Sequence, residues 1–313
     1  VSPHPGGRAA GEAGPDAGAA PGPSATPALY AALLDDAALF PPGEAPMGEA
    51  VDAHLRYRTG PQNPLTGPFV VPARRLPELG EALRTRPGAV LRVSVTVPEG
   101  PEGVGPALEA AAAQPAIEAV AVEVAAHGSD DDAQAATEVS RAAAALEAHL
   151  PAYAAGFVEL PRGADPRRVL DALSGTAQLA KLRTGGTRAD AFPGASELAA
   201  VLRAAAERGR ALKCTAGLHH AVRHTDAATG FEHHGFLNVL LAVHAALQGA
   251  GNDEVARVLS VGDGARVAAE TAALGGEAAR SVRALFASFG TCSVLEPLGD
   301  LVALGRLSPA VLE

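Results

Sequence analysis

Residues 90–125, VLRVSVTVPEGPEGVGPALEAAAAQPAIEAVAVEVA, hold the pattern that sets the fold. In Leu91–Val97 the apolar residues Leu91, Val93, Val95 and Val97 take one parity and Arg92, Ser94 and Thr96 the other. In Ile117–Ala125, Val120, Val122 and Val124 oppose Ala121, Glu123 and Ala125. Alternation with period two is the mark of a strand, because successive side chains point to opposite faces of a sheet. The Ala-rich stretch Pro106–Ala113 between the two runs suits a short helix, so the segment reads as one strand-helix-strand unit of a parallel sheet.

The same unit recurs on both sides. Strands are expected at Phe69–Ala73 (FVVPA), Val90–Val97, Ile117–Ala125, Ala155–Leu160 (AGFVEL), Gln178–Arg183 (QLAKLR) and Ala211–Ala216 (ALKCTA), with Leu33–Phe40 (LLDDAALF) supplying a first unit. Helices fit Met47–Arg58, Asp131–Leu150, Pro166–Leu173, Ser196–Arg208 and Phe236–Gln248. Strand starts fall roughly 20–35 residues apart, and no Gly-rich nucleotide fingerprint follows the first, which favours a closed (β/α)8 barrel over an open dinucleotide-binding sheet. The eighth strand has two candidates, Val255–Val261 and Leu285–Val294, and the last 60 residues are otherwise expected to be a helical extension. Residues 1–27, nearly all Gly, Ala, Pro, Ser and charged, have nothing to bury and are expected to be a disordered tail; residues 28–313 are expected to form one domain.

Composition excludes several classes. With 313 residues, 48% hydrophobic and 19% charged, the chain can build one barrel-sized core, and no apolar run approaches the ~18–20 residues of a membrane span. A net charge of −10 and the lack of a basic stretch interleaved with aromatics argue against nucleic acid as a partner. Cys214 and Cys292 are too few for a disulfide framework and lie in no CxxC spacing, so they are expected to be reduced thiols of a cytoplasmic protein. By parity Cys214 faces the helices; Cys292, in FGTCSV, is left without a placement.

Of the 25 basic residues only Lys181 and Lys213 are lysines; the other 23 are arginines. Where arginine serves for surface charge throughout, a surviving lysine asks for chemistry that arginine lacks, namely an amine able to lose its proton and act as nucleophile or base. Parity sends both lysines inward, Lys181 with Arg183 opposite Leu182, and Lys213 with Thr215 opposite Leu212 and Cys214. Glu159, between Val158 and Leu160, turns inward as Glu123 does, so Glu123, Glu159, Lys181, Arg183 and Lys213 converge near the carboxyl ends of consecutive strands. Barrel enzymes keep their active sites there, and buried charges need partners.

Five of the ten histidines, His219, His220, His224, His233 and His234, follow Lys213 closely, and Gly217 permits a tight turn at the strand end. Histidine suits proton transfer near neutral pH, which makes His219 a candidate proton carrier and His220 a candidate substrate contact. A zinc arrangement of His219 or His220 with His233 or His234 and a carboxylate matches no established ligand spacing. Asn238 and Arg92 are further candidate substrate contacts, as are Thr215 and Gly217, while His244 reads as a packed helix residue. Asp130, Asp131 and Asp132 favour a helix N-terminus, and Asp35 and Asp36 either reach the mouth or cap a turn.

The blocks KLRTGG at 181–186 and KCTAGL at 213–218 resemble the class I aldolases of the deoxyribose-phosphate aldolase type, two lysines at the ends of successive barrel strands, each followed by a Thr and Gly turn. The resemblance implies that Lys181 forms a Schiff base, that Lys213 beside it depresses its pKa, and that an acidic residue on an earlier strand moves protons. Arg183 stands where that family has a small hydroxyl residue, and the pair His219 and His220 has no counterpart there. The LFPP, KLRTGG, TAGLHH and FGTCS blocks are also similar to those of uncharacterised bacterial proteins. The expectation is therefore a lyase or aldolase acting on a small anionic carbonyl compound, without a cofactor, in which Glu123, Glu159 or His219 carries the proton and Arg183 holds the substrate anion. The alternatives are metal-assisted proton abstraction, with Glu123 and Glu159 holding a divalent metal ion, and a non-catalytic anion-binding barrel; a homo-oligomer is compatible with either.

Overall fold

In the computed structural model, which describes residues 27–128 and 131–313, the two alternating runs become strands β3 (Leu91–Val97) and β4 (Ile117–Ala125), paired in parallel. The tail expected over residues 1–27 lies outside the described residues except for Pro27, as does Asp130 of the acidic run. The remaining barrel strands are β1 (Leu34–Asp36), β2 (Thr66–Pro72), β5 (Ala155–Glu159), β6 (Leu179–Arg183), β7 (Leu212–Thr215) and β10 (Phe286–Thr291). These eight close a barrel in the order β1, β10, β7, β6, β5, β4, β3, β2, with every pairing parallel. The two-residue strands β8 (His224–Thr225) and β9 (Glu232–His233) form an antiparallel pair in the loop after β7.

Helices α1 (Met47–Thr59), α2 (Leu76–Arg84), α3 (Val104–Ala112), α4 (Asp132–His149), α5 (Pro166–Asp171) and α6 (Ala195–Arg208) cover the outside. Val122, Val124, Val158 and Leu212 are buried against them, as the outward parity requires. Cys214 shares that layer; burial pushes its thiol up to about 12, which makes it an inert packing group. Asp131 caps α4 by accepting from the amides of Ala133 and Gln134 at 2.7 and 3.1 Å.

The C-terminal part corrects one expectation and resolves another. Val255–Val261 is not a strand: most of it lies in α8 (Asn252–Leu259), which with α9 (Gly264–Ala272) and α10 (Gly276–Leu285) packs on α7 (Phe236–Leu247). Helix α7, FLNVLLAVHAAL, buries Phe236 to Val243 without a break, so it needs cover on all sides. The eighth strand is β10, within the second candidate, and α11 (Leu295–Ala303) follows it. Phe289 of β10 stacks on Phe236 of α7 with ring centroids 5.1 Å apart, and so joins the final strand to the extra helices.

Candidate active site

Strand register sets the interior charges side by side. Glu159 is opposite Lys181, Lys181 opposite Lys213, Thr96 opposite Glu123, and Asp35 opposite Gly290. Lys181 Nζ lies 2.8 Å from Glu123 Oε2 and 2.9 Å from Glu159 Oε2. Lys213 Nζ donates to Glu123 Oε1 at 2.6 Å and to Asp35 Oδ2 at 2.5 Å, and Arg183 Nε donates to Glu159 Oε1 at 2.9 Å. Two hydroxyls complete the network: Ser94 donates to Glu123 Oε1 at 2.6 Å, and Ser288 donates to Asp35 Oδ2 at 2.7 Å. Three cations thus alternate with three carboxylates, which is how so many charges are tolerated together in a barrel interior.

The network has a depth. Side-chain exposure falls from 43% at Arg183 and 18% at Glu159 to 6% at Lys181 and 2% at Lys213. Arg183 is therefore the rim, Lys181 the amine nearest the mouth, and Lys213 the sealed one, its Nζ 5.1 Å from the centroid of the Phe157 ring. Burial would raise the Glu123 carboxyl, but Lys181 and Lys213 outweigh it and hold the group far below the usual carboxylate range. Glu159 is lowered likewise, with Lys181 and Arg183 outweighing burial. Asp35 goes the other way: burial raises it against the pull of Lys213.

The lysines depart from the expectation that Lys213 depresses the pKa of Lys181. Burial lowers both, yet Glu123 and Glu159 outweigh it at Lys181, and Asp35 and Glu123 outweigh it at Lys213, so both amines are raised. The reason is geometric. Glu123 stands between the lysines and presents one oxygen to each, so neither ammonium meets the other without an intervening negative charge.

The blocks of the sequence meet at this mouth. A Cβ on Gly217 would come within 2.7 Å of the Thr184 carbonyl oxygen, and one on Gly185 within 2.7 Å of the Gly217 Cα, so the two strand-end turns are interlocked backbone to backbone. Gly217 also has φ +76°, a conformation that favours glycine, so the turn itself requires this residue. Thr184 spans the same gap, its hydroxyl donating to the Ala216 carbonyl at 2.5 Å, and Thr215 ends β7 half-buried. Gly43, just after the LFPP block, packs against Cys292 of the FGTCS block.

Other expected contacts lie elsewhere. Arg92 is exposed at the amino end of β3, opposite Glu118; parity put it inward, but it sits one layer below Ser94, away from the mouth. Asn238 is fully buried and wholly engaged: its Oδ1 accepts from the Arg223 amide at 2.9 Å, and its Nδ2 donates to the carbonyls of Val258 and Val261 at 3.0 and 2.9 Å. It ties the loop after β7 to α8. Asp36, of outward parity, bonds His54 on α1 at 2.9 Å, leaving Asp35 alone of that pair in the site.

The histidines divide: His220, His224 and His233 form a run of ring contacts, with centroids 4.7 and 5.1 Å apart, while His219 and His234 take other partners. His220 Nδ1 is 3.2 Å from Asp300 Oδ2 on α11, His233 lies against the rings of Phe192 and His224, and His234 Nε2 is bonded to the Pro193 carbonyl at 2.8 Å. Among the described residues, neither His219 nor His220 gathers with His233 or His234 and a carboxylate in the zinc arrangement weighed from the sequence. His219 instead faces Cys292 and Glu296, with its Nδ1 3.5 Å from Cys292 Sγ and 3.5 Å from Glu296 Oε2. Asp35 could be found from parity on Leu34–Asp36; Ser288 and Glu296 carry no local signal. No protein-family model matches the chain, and no curated protein does so either.

Proposed function

We propose that this barrel is a lyase of the aldolase type, acting on a small anionic carbonyl compound through an imine on Lys181. The observation that carries the reading is the placement of Lys181 Nζ at the inner end of the mouth, 2.8 Å from Glu123 and 2.9 Å from Glu159, with Arg183 sharing Glu159 at the rim. An amine attacks a carbonyl only when neutral, and in the resting network Lys181 is held charged. A substrate carboxylate or phosphate paired with Arg183 draws that guanidinium from Glu159, which then accepts the Lys181 proton. The amine lone pair adds to the carbonyl carbon, and the carbonyl oxygen leaves as water with one proton from the amine and one returned by Glu159; the protonated imine then accepts the electron pair of the carbon–carbon bond that breaks, the departing fragment leaves as an aldehyde while its hydroxyl proton passes to Glu159, and protonation and hydrolysis of the enamine free the amine.

Lys213 sits deeper and works through Glu123: its charge keeps that carboxylate ionised and oriented toward Lys181. A divalent ion held by Glu123 and Glu159 is a poorer reading, since all four carboxylate oxygens already face lysine or arginine nitrogens and three cations surround the position.

The test is intact-protein mass spectrometry after borohydride reduction with a panel of small aldehydes, ketones, 2-oxo acids and sugar phosphates. The expected result is a reduced adduct that maps to Lys181 and is absent from Lys181→Arg. A folded protein that gives no adduct across the panel, or an adduct on Lys213 that survives Lys181→Arg, overturns the reading.

A further inference from the structure

His219, Cys292 and Glu296 lie outside the lysine network, and their ligand atoms lie within 4.8 Å of one another. They come from three elements that meet at the mouth: the turn after β7, the residue after β10, and the first turn of α11. Cys292 continues the inward parity of Ser288 and Gly290. It packs closely on Gly43, where a Cβ would stand 3.1 Å from the Cys292 Cβ. Leu218 and Ala221, on either side of the two histidines, are fully buried, and Asp300 of α11 accepts from the Ala221 amide at 2.7 Å, which locks the histidine loop over α11.

The geometry separates two roles for such a trio. A proton relay places the thiol on one imidazole nitrogen and the carboxylate on the other. Here both Cys292 Sγ and Glu296 Oε2 lie 3.5 Å from the same atom, His219 Nδ1, and the ligand atoms of the three residues lie within 4.8 Å of one another, so they gather at one nitrogen rather than line up through the ring. Tetrahedral zinc with Zn–S near 2.3 Å and Zn–N and Zn–O of 2.0–2.2 Å spaces its ligands about 3.6 Å apart for S and N and about 3.4 Å for N and O. Both observed separations agree with those edges.

We propose that His219 Nδ1, Cys292 Sγ and a Glu296 carboxylate oxygen form a binding site for zinc at the barrel mouth. Thiolate, imidazole and carboxylate together suit zinc rather than magnesium or calcium, which take oxygen ligands. Three protein ligands leave a fourth position for water or a small ligand oxygen. On binding, the Cys292 thiol loses its proton to solvent and the thiolate takes up the metal, so uptake releases about one proton per ion.

The test uses the full chain, stripped with chelator and titrated with cobalt(II), which reports its ligands by colour. One equivalent is expected to give a near-ultraviolet thiolate charge-transfer band with the visible bands of a tetrahedral centre, and zinc is expected to abolish both. Cys214→Ser is expected to keep the band and Cys292→Ser to lose it. His219→Ala is expected to weaken zinc binding beyond the ~10–100-fold that loss of an outer-shell partner costs. Absence of a thiolate band in the wild-type protein overturns the site without recourse to any variant. So does a band that survives Cys292→Ser, or zinc affinity unchanged in His219→Ala.

Discussion

Replacing Glu123 by Gln removes the one negative charge that the two lysines share, while keeping the side-chain shape. At an effective dielectric of ~20, a unit charge 2.6–2.8 Å away is worth about 6 kcal/mol, so the two ammoniums, each left with one carboxylate, would together lose about 12 kcal/mol of attraction if both stayed charged. A cheaper route exists. Discharging one lysine of ordinary pKa 10.5 at pH 7 costs about 5 kcal/mol at 1.36 kcal/mol per unit and restores the site's net charge, since the positive charge removed offsets the negative charge lost with Glu123; the net loss is then near the 3–5 kcal/mol usual for a broken buried pair. Lys181 is the one to discharge, because its remaining partner Glu159 is shared with Arg183, whereas Lys213 keeps Asp35.

The signature is in the pH dependence. In the wild-type protein both lysines are raised in the fold, so folded and unfolded chains hold the same protons on them from pH 7 to 9 and these groups contribute no slope. In Glu123→Gln the unfolded chain binds one more proton than the folded one, so the variant regains about 1.4 kcal/mol per pH unit and is about 2 kcal/mol below wild type at pH 9. Urea unfolding of both proteins at pH 7, 8 and 9, followed by circular dichroism, measures this directly. A deficit under about 1 kcal/mol at pH 7, or one that stays constant with pH, would refute the reasoning.

Other outcomes follow from the same geometry. Glu123 and Glu159 are depressed in the fold, so their contribution is present above about 4.5, their ordinary value, and is lost as the pH falls below it; in thermal melts from pH 5 to 3, Glu159→Gln is expected to have a shallower acid decline than wild type. Asn238→Ala should lower stability by about 2–4 kcal/mol, since it leaves an amide and two carbonyls without their buried partner, and should leave the yield of reduced Lys181 adduct unchanged. Arg92→Ala, at an exposed position on the far end of β3, should change unfolding by less than about 0.5 kcal/mol and adduct yield not at all. Gly217→Ala should cost about 1–3 kcal/mol through positive φ and the clash with Thr184, and should also reduce adduct yield by displacing the β6 and β7 strand ends; a neutral result would show that the two turns are not interlocked.

The sequence by itself determined the barrel and which residues line it. Period-two alternation is local, so LRVSVTV and IEAVAVEVA announce their faces without tertiary information, and the inward placement of Glu123, Glu159, Lys181 and Lys213 follows from parity alone. The scarcity of lysine marked the same two residues independently. Parity says nothing of height along a strand, however, and so it admitted Arg92, which faces the interior at the wrong end.

Only the closed structure decided who neighbours whom. Asp35 meets Lys213 across 178 positions of chain because β1 and β10 close the ring, and Ser288 enters on the strand that periodicity marked least, FASFGT, where Phe and Ala replace the valines. The sign of the lysine pKa shifts turned on Glu123 standing between the two amines, a matter of Ångströms that spacing along the chain cannot express. His219, Cys292 and Glu296 illustrate the same limit: the chain separates the first two by 73 residues, and only the packing of the β7 turn, the end of β10 and α11 brings their ligand atoms within 4.8 Å of one another.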